Sequence, residues 1–280
     1  MPPGGPWATV VEFLRERTGT PAESVHGRVE AGEVVLGDGT VVDEQTGYRG
    51  GEVVFLYRDV QPEVEVPFEL DILHQDDDIV VVDKPHFLAT MPRGAHVSQT
   101  VVTRLRQQHD LPRVVPAHRL DRLTAGVMLL VIRPELRGAY QQLFAERLVH
   151  KTYLALAPRL ASWDGSVTVS NRLVKQRGQL QARVVPGEPN ARTFIERLDC
   201  DAEVCTYRLT PYTGRTHQLR VHCAGLGMPI LGDPLYPQVR GLAVGDFSEP
   251  LQLLSQRLEF KDPVTGEHRV FTTERSLSRG

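Results

Sequence analysis

Two unbroken apolar runs, Ile79-Val80-Val81-Val82 and Val127-Met128-Leu129-Leu130-Val131-Ile132, constrain this chain more than any other feature of its sequence. Runs this short, bounded by polar residues and rich in β-branched side chains, predict strands buried on both faces. Such strands need a covering layer on each side of their sheet. The first ends at Asp83-Lys84-Pro85, where proline stops it. The second is entered from a polar, mixed-charge loop, Ala117-His118-Arg119-Leu120-Asp121-Arg122-Leu123-Thr124-Ala125-Gly126. Side chains at the mouth of a buried strand are held by the core behind them, a good location for a catalytic group. Asp121 sits there between Arg119 and Arg122, and flanking cations favour an ionised carboxylate. That suits a nucleophile, or an anion paired with another cation, better than a general acid. A surface Asp–Arg contact would give the same local pattern.

Around these runs the elements are short and mixed. Trp7, Val10, Val11 and Leu14 fall at helical spacing, predicting a helix up to about Gly19. A second helix is expected over 22–31, then a hairpin of 34–36 and 40–42 around Gly37-Asp38-Gly39, then a strand over 52–57. Gln61 to Pro67 reads as a linker. A helix over 100–109 should turn Val101, Val102 and Leu105 inward and Arg104 and Arg106 outward. A helix is expected behind Pro134, and a strand over 151–157 with Leu154 and Leu156 on one face and Tyr153 on the other. Residues 171–183 hold Arg172, Lys175, Arg177 and Arg183 without an acid, with Gly178 near the middle. They read as a projecting hairpin, either a solvated arm or a phosphate-contacting one. Strands over 194–198 and 205–209 lead to a helix starting near Thr213 or Gly214 and stopping at Gly227. Strands over 256–260 and 270–273 finish the chain. Strands interleaved with few helices indicate an α+β fold with a large mixed, mainly antiparallel sheet.

Charge divides the chain. Residues 1–62 carry five Arg, no Lys and ten acids, and the remainder 27 basic and 25 acidic residues. An acidic N-terminal domain, 1–62, therefore precedes a mildly basic domain, 63–280. Its order of helix, helix and small strands resembles the αL-type RNA-binding domain of many bacterial RNA-modifying enzymes. That domain presents a basic helix, whereas the helices here are acidic, which favours a structural or protein-contacting role. Three cysteines, 200, 205 and 223, have neither disulfide-framework nor zinc spacing. Buried reduced thiols in a cytoplasmic protein are the expectation. No apolar run reaches membrane-spanning length, and no signal pattern opens the sequence.

Three further segments carry chemistry: HRLD with TAG (118–121, 124–126), KTY (151–153) and GRTHQLRVH (214–222). In this order, with Asp77 to Pro85, Gly232-Asp233-Pro234-Leu235-Tyr236 and the Pro263 to Glu267 turn, they resemble the RluA family of pseudouridine synthases over about residues 68–275. The resemblance implies that fold, and isomerisation of uridine to pseudouridine within ribosomal or transfer RNA. It implies no metal or other cofactor, and RNA as the partner of a monomer. It places the essential aspartate at Asp121, a uracil-stacking tyrosine at Tyr153 and the basic partner of the aspartate at Arg215. A cation at the start of a helix is disfavoured by the dipole, so Arg215 there would call for an anion such as Asp121. The resemblance further implies substrate-binding roles for His118, Thr124 and Arg220, an apolar packing residue at Leu219, and at Arg119 the residue that fills the space of a flipped base. The family usually has serine where Ala125 stands, a loss of about 1 kcal/mol of loop hydrogen bonding. It also differs over His86 to Pro92, which bears on substrate choice. Lys84 is expected to be structural or a phosphate contact.

Two other readings fit parts of the sequence. One is a non-catalytic RNA-binding assembly factor on the same fold, against which Asp121, Tyr153 and Arg215 stand intact. The other is a metal-dependent hydrolase using His118, His217, His222 and Cys223. His217 and His222 lie about 140° apart around a helix, poorly placed for one ion.

Overall fold

The structure, a computed structural model, describes all residues except 19–21, 57–62, 95, 161–162, 164, 242 and 280. It divides into two compact units, 1–61 and 62–280.

In the first unit, α1 (Val10–Thr18) and α2 (Ala22–Glu30) lie with β1 (Val34–Leu36), which pairs antiparallel with β2 (Val54–Leu56). Val10, Val11 and Leu14 bury against Val25, Val29, Val34 and Val42, as the helical spacing requires. The expected hairpin is only partly realised. Leu36 N–H donates to Thr40 O and Val42 N–H to Val34 O, yet 40–42 makes only a bridge and β2 is the ladder partner of β1.

The second unit runs β3 (Asp71–Gln75), β4 (Ile79–Lys84), α3 (Val101–Gln108), β5 (Val115–Pro116), β6 (Ala125–Val131), α4 (Arg137–Ala145), β7 (His150–Pro158), β8 (Ser166–Val174), β9 (Arg183–Val185), β10 (Ala191–Cys200), β11 (Val204–Pro211), α5 (Gln218–Gly225), β12 (Leu253–Lys261) and β13 (His268–Thr272). Among the described residues these strands form one sheet in the order β3-β4-β6-β12-β7-β11-β10-β8-β9, with β5 on β6 and β13 on β12. The pairing of β12 with β6 is parallel, and the other ladders are antiparallel. The α+β reading with a large mixed sheet therefore holds.

The two apolar runs become neighbouring strands, β4 and β6, buried at every position. Val80, Val82, Met128 and Leu130 face one core with Val101, Val102 and Leu105 of α3 and Leu219 and Cys223 of α5. Ile79, Val81, Val127, Leu129 and Val131 face the other core with Tyr140 and Leu143 of α4. Gly126 lets β12 approach. Its φ is +105°, and a Cβ there would run into the backbone of Ser255.

Several expectations are corrected. Arg104 is buried, not outward, because its guanidinium caps the carbonyls of Val66 and Phe68 and the side chain of Gln99. Those bonds, with Glu63 accepting from the amides of Val97, Ser98 and Gln99, dock 63–67 onto its own domain, so it is no free linker; 61 and 62 lie outside the described residues. Cys200 and Cys205 are a directly opposed cross-strand pair joined by a disulfide, whereas Cys223 is free and buried. The helix expected from 213 begins at Gln218. The preceding residues are a turn pinned by Gln218, whose side chain accepts from Thr213 Oγ1 and Arg215 N and donates to Arg192 O and Thr193 Oγ1. The strand β3 carried no sequence signal, since its five residues DILHQ are half polar.

Candidate active site

A cleft of about 460 Å³ opens where loop 117–124, the end of α4, the start of β7 and the turn before α5 converge. Asp121 is the sole carboxylate among its lining residues, which also include His118, Arg119, Thr124, Tyr153, Arg215, His217, Leu219 and Arg220. Nearly all the sequence-predicted residues are thus brought together. Arg172, Lys175, Arg177 and Arg183 are not among the cleft residues. They are exposed on the β8–β9 arm, which docks beside the cleft through Ala182 N–H on the Tyr236 hydroxyl.

The loop carrying Asp121 is clamped on both sides. Thr90 Oγ1 donates to Leu120 O at 2.8 Å and accepts from Leu120 N–H. Lys84, fully buried, donates from Nζ to Pro85 O, Leu88 O and Arg122 O. Burial holds the Lys84 amine well below its ordinary value, with Asp121 opposing the shift. Lys84 is therefore a structural tie and has no surface to offer a phosphate. His86 Nδ1 lies 2.8 Å from Leu123 O, and Thr124 N–H donates to Asp121 O.

The cation opposite Asp121 is Arg220, not Arg215. Arg220 Nη1 stands 3.7 Å from Asp121 Oδ2, and His217 Nε2 stands 3.9 Å from the same oxygen. Arg215 turns away: its Nε donates to Asn190 O. The dipole argument placed Arg215 at the start of a helix that begins three residues later, and Arg220, in the first turn of that helix, lines the cleft. Arg220 is fixed from behind by Asp233, with Nε on Oδ2 at 2.8 Å and Nη2 on Oδ1 at 2.6 Å. Both side chains are buried, and Asp233 also accepts from the amides of Leu235 and Tyr236. Burial works against the charge on Arg220, but Asp233 and then Asp121 outweigh it and raise its pKa. Such a bidentate pair is strong and geometrically specific.

Tyr153 projects from β7 on the same face as Ala155 and Ala157, opposite Ser255 of β12 in register. Burial pushes its phenol up to about 12; the Ser255 hydroxyl opposes the shift and the Asp121 charge adds to it. It is a neutral phenol at physiological pH. Leu219 is buried at the cleft wall. His118 lines the cleft, but its Nε2 accepts from Leu129 N–H and its ring stacks on Phe144 with centroids 4.3 Å apart. Burial lowers its pKa to about 3. Its visible work is to fix the loop. Arg119 is exposed at the rim.

The histidines do not converge on a metal. His222 bonds Thr193 Oγ1 and Asn171 Oδ1, whereas His217 faces Tyr236 and Asp121, and the described residues hold no group of three potential ligands. Asp233, Ser255 and Gln218 were not identified as site residues from sequence. Asp233 lies in a recognised motif, but its partner is set only by the turn that ends at Gln218.

The RNA pseudouridylate synthase family profile matches residues 78–225. An uncharacterized RNA pseudouridine synthase of Synechocystis sp. is 31% identical over 75% of this chain and 72% of its own length. The ribosomal large subunit pseudouridine synthase D of Xylella fastidiosa is 32% identical over 74% of this chain and 64% of its own. The solved structure of human RNA pseudouridylate synthase domain containing 1 superposes with a TM-score of 0.59 at 27% identity, covering 74% of this chain and 84% of that one.

Proposed function

The chain belongs to the RNA pseudouridylate synthase family, and from that premise we propose that its cleft isomerises uridine in ribosomal or transfer RNA with Asp121 as the attacking carboxylate. The observation that carries this reading is Asp121 as the sole carboxylate of the cleft, facing a locked guanidinium. In the reaction the bond from ribose C1′ to uracil N1 breaks, a bond from C1′ to C5 forms, the C5 proton departs and N1 takes up a proton. Arg220 faces the Asp121 carboxylate and keeps it aimed while charge shifts on the sugar. Tyr153, neutral, offers a ring face and a hydroxyl to the uracil, and Leu219 packs against it. Arg119 stands at the rim, where it can fill the space left by a base turned out of its stack; flipping costs a few kcal/mol, less from a loop than a duplex. The four cations of the β8–β9 arm are exposed and available to flanking phosphates. The resemblance to a ribosomal large subunit enzyme supports ribosomal RNA as the substrate class. RNA tritiated at uridine C5 tests the reading. Wild type should release tritium and Asp121→Asn should not; a wild-type protein inert on unmodified ribosomal and transfer RNA transcripts would refute it.

A further inference from the structure

Besides Arg215, the cleft holds two further cations that the isomerisation does not use. Arg147 and Lys151 come from the end of α4 and the start of β7 and both line the cleft. Lys151 stands two residues before Tyr153 on the same strand face, about 7 Å along β7. Its Nζ lies 3.9 Å from where a Cβ on Gly214 would sit, so it reaches the turn before α5. Neither side chain makes an ion pair or hydrogen bond among the described residues. Burial and the Arg147 charge both lower the Lys151 pKa, so the two cations repel one another. No described side chain relieves that repulsion; an anion between them would.

The backbone adds an independent observation. The α4 helix ends in a Schellman motif, with Leu148 N–H on Leu143 O at 2.8 Å and Arg147 N–H on Phe144 O at 3.3 Å. Arg147 occupies the left-handed position, φ +63°, where glycine is strongly favoured. An arginine there accepts backbone strain in exchange for a charge at the cleft. A helix C-terminus also attracts a cation, but that attraction does not require the one position glycine fills best.

We propose that Arg147 and Lys151 form a phosphate subsite on the rim of the cleft, gripping an RNA backbone phosphate beside the nucleotide that enters it. The proposal rests on the pseudouridine synthase reading and adds a recognition element to it. Its ligand chemistry is a singly charged phosphodiester, met by one guanidinium fork and one ammonium. The two residues bind substrate and take no part in the bond changes.

The test is the salt dependence of binding to a short oligouridylate. Arg147→Gly and Lys151→Gln should each weaken binding several-fold at low salt. Each should also flatten the log–log slope, by about 0.7 for every single-strand phosphate that is no longer neutralised. Lys151→Arg should keep the wild-type slope. Arg147→Gly should unfold at or above the wild-type urea midpoint, since glycine suits the left-handed position, so any weakening of binding is not misfolding. Lys261→Gln, exposed at the end of β12 and absent from the cleft lining, serves as the control and should bind with the wild-type slope. A double variant with wild-type affinity and slope overturns the subsite. If wild type releases tritium from uridine-labelled RNA in that case, the subsite alone is refuted. If the double variant loses slope while wild type releases no tritium, the subsite stands and the reaction assignment fails.

Discussion

Arg220 faces Asp121 across 3.7 Å while two of its nitrogens stay on Asp233. One buried carboxylate thus orients the guanidinium from behind, and the third nitrogen meets the cleft carboxylate. A planar fork can serve two carboxylates at once, which a lysine ammonium cannot do with the same geometry. The cation opposite Asp121 is in place before any RNA arrives.

Arg220 and Arg215 should therefore separate on mutation. Arg220→Ala leaves Asp233 buried without its partner, a loss of about 3–5 kcal/mol of stability, and removes the cation facing Asp121. Single-turnover tritium release should fall at least a hundredfold, about 2.7 kcal/mol of barrier. Arg220→Lys should fold better than Arg220→Ala and recover only part of the rate. Arg215→Ala should keep most of the rate at saturating RNA. Rate and urea midpoint measured together decide this; a dead Arg215→Ala beside an active Arg220→Ala would reverse the assignment.

Much of this was legible in the sequence, for identifiable reasons. Apolar runs at 79–82 and 127–132 have no wet face, so two strands and their two covering layers follow from hydrophobicity alone. The convergence of Asp121 with Tyr153 and Leu219 followed from motif order. The partner of Asp121 did not, because Arg215 and Arg220 share one motif and differ only in where the helix begins. That is decided by Gln218 gripping Arg192 and Thr193, which are distant in sequence. Arg104 failed for a related reason. Helical periodicity placed it outward, while the carbonyls of Val66 and Phe68, unreadable as acceptors in a sequence, drew it in.

Tyr153 sets a pH prediction. Its phenol, pushed up to about 12, stays protonated across the physiological range. A rate-limiting phenolate would make the reaction accelerate tenfold per pH unit on the alkaline side. No such limb is expected between about pH 8 and pH 9.5. Single-turnover tritium release across that range checks it, and a unit slope would restore the phenolate as base. The ring should matter regardless: Tyr153→Leu should lose more activity than Tyr153→Phe.

Stability should fall in mild acid through three histidines. Burial lowers His86 to about 4, His118 to about 3 and His222 to about 4, against 6.5 for an unperturbed ring. Between those values the unfolded chain binds protons that the folded chain does not. Their stabilising effect is complete above 6.5 and is lost as pH falls toward 4. The loss is at most about 1.4 kcal/mol per pH unit for each ring, and between about pH 6.5 and pH 5 the carboxylates contribute little to it. Urea unfolding at constant ionic strength should show the midpoint dropping across that window. A flat profile there would show that these rings are protonated as readily folded as unfolded.

Gly126 is where the loop carrying Asp121 runs into the parallel strand pair. Its φ of +105° is one an L side chain rarely adopts, and an added Cβ would strike the backbone of Ser255. Ser255 in turn stands opposite Tyr153 and donates its hydroxyl hydrogen to Val127 O. Gly126→Ala must therefore either strain its own backbone or push β12 off β6 and against β7, and the second route disturbs the register of Ser255 with the tyrosine. A cost of about 2–4 kcal/mol is expected from the backbone conflict, read as a lower urea midpoint. The variant that remains folded should also show a lower single-turnover rate, because displacement of β12 changes how the Ser255 hydroxyl meets Tyr153. Ser255→Ala isolates that second effect, since it removes the hydroxyl and leaves the strand spacing intact. If Gly126→Ala unfolds at the wild-type midpoint, β12 has a freedom to shift that the close approach of these backbones does not allow.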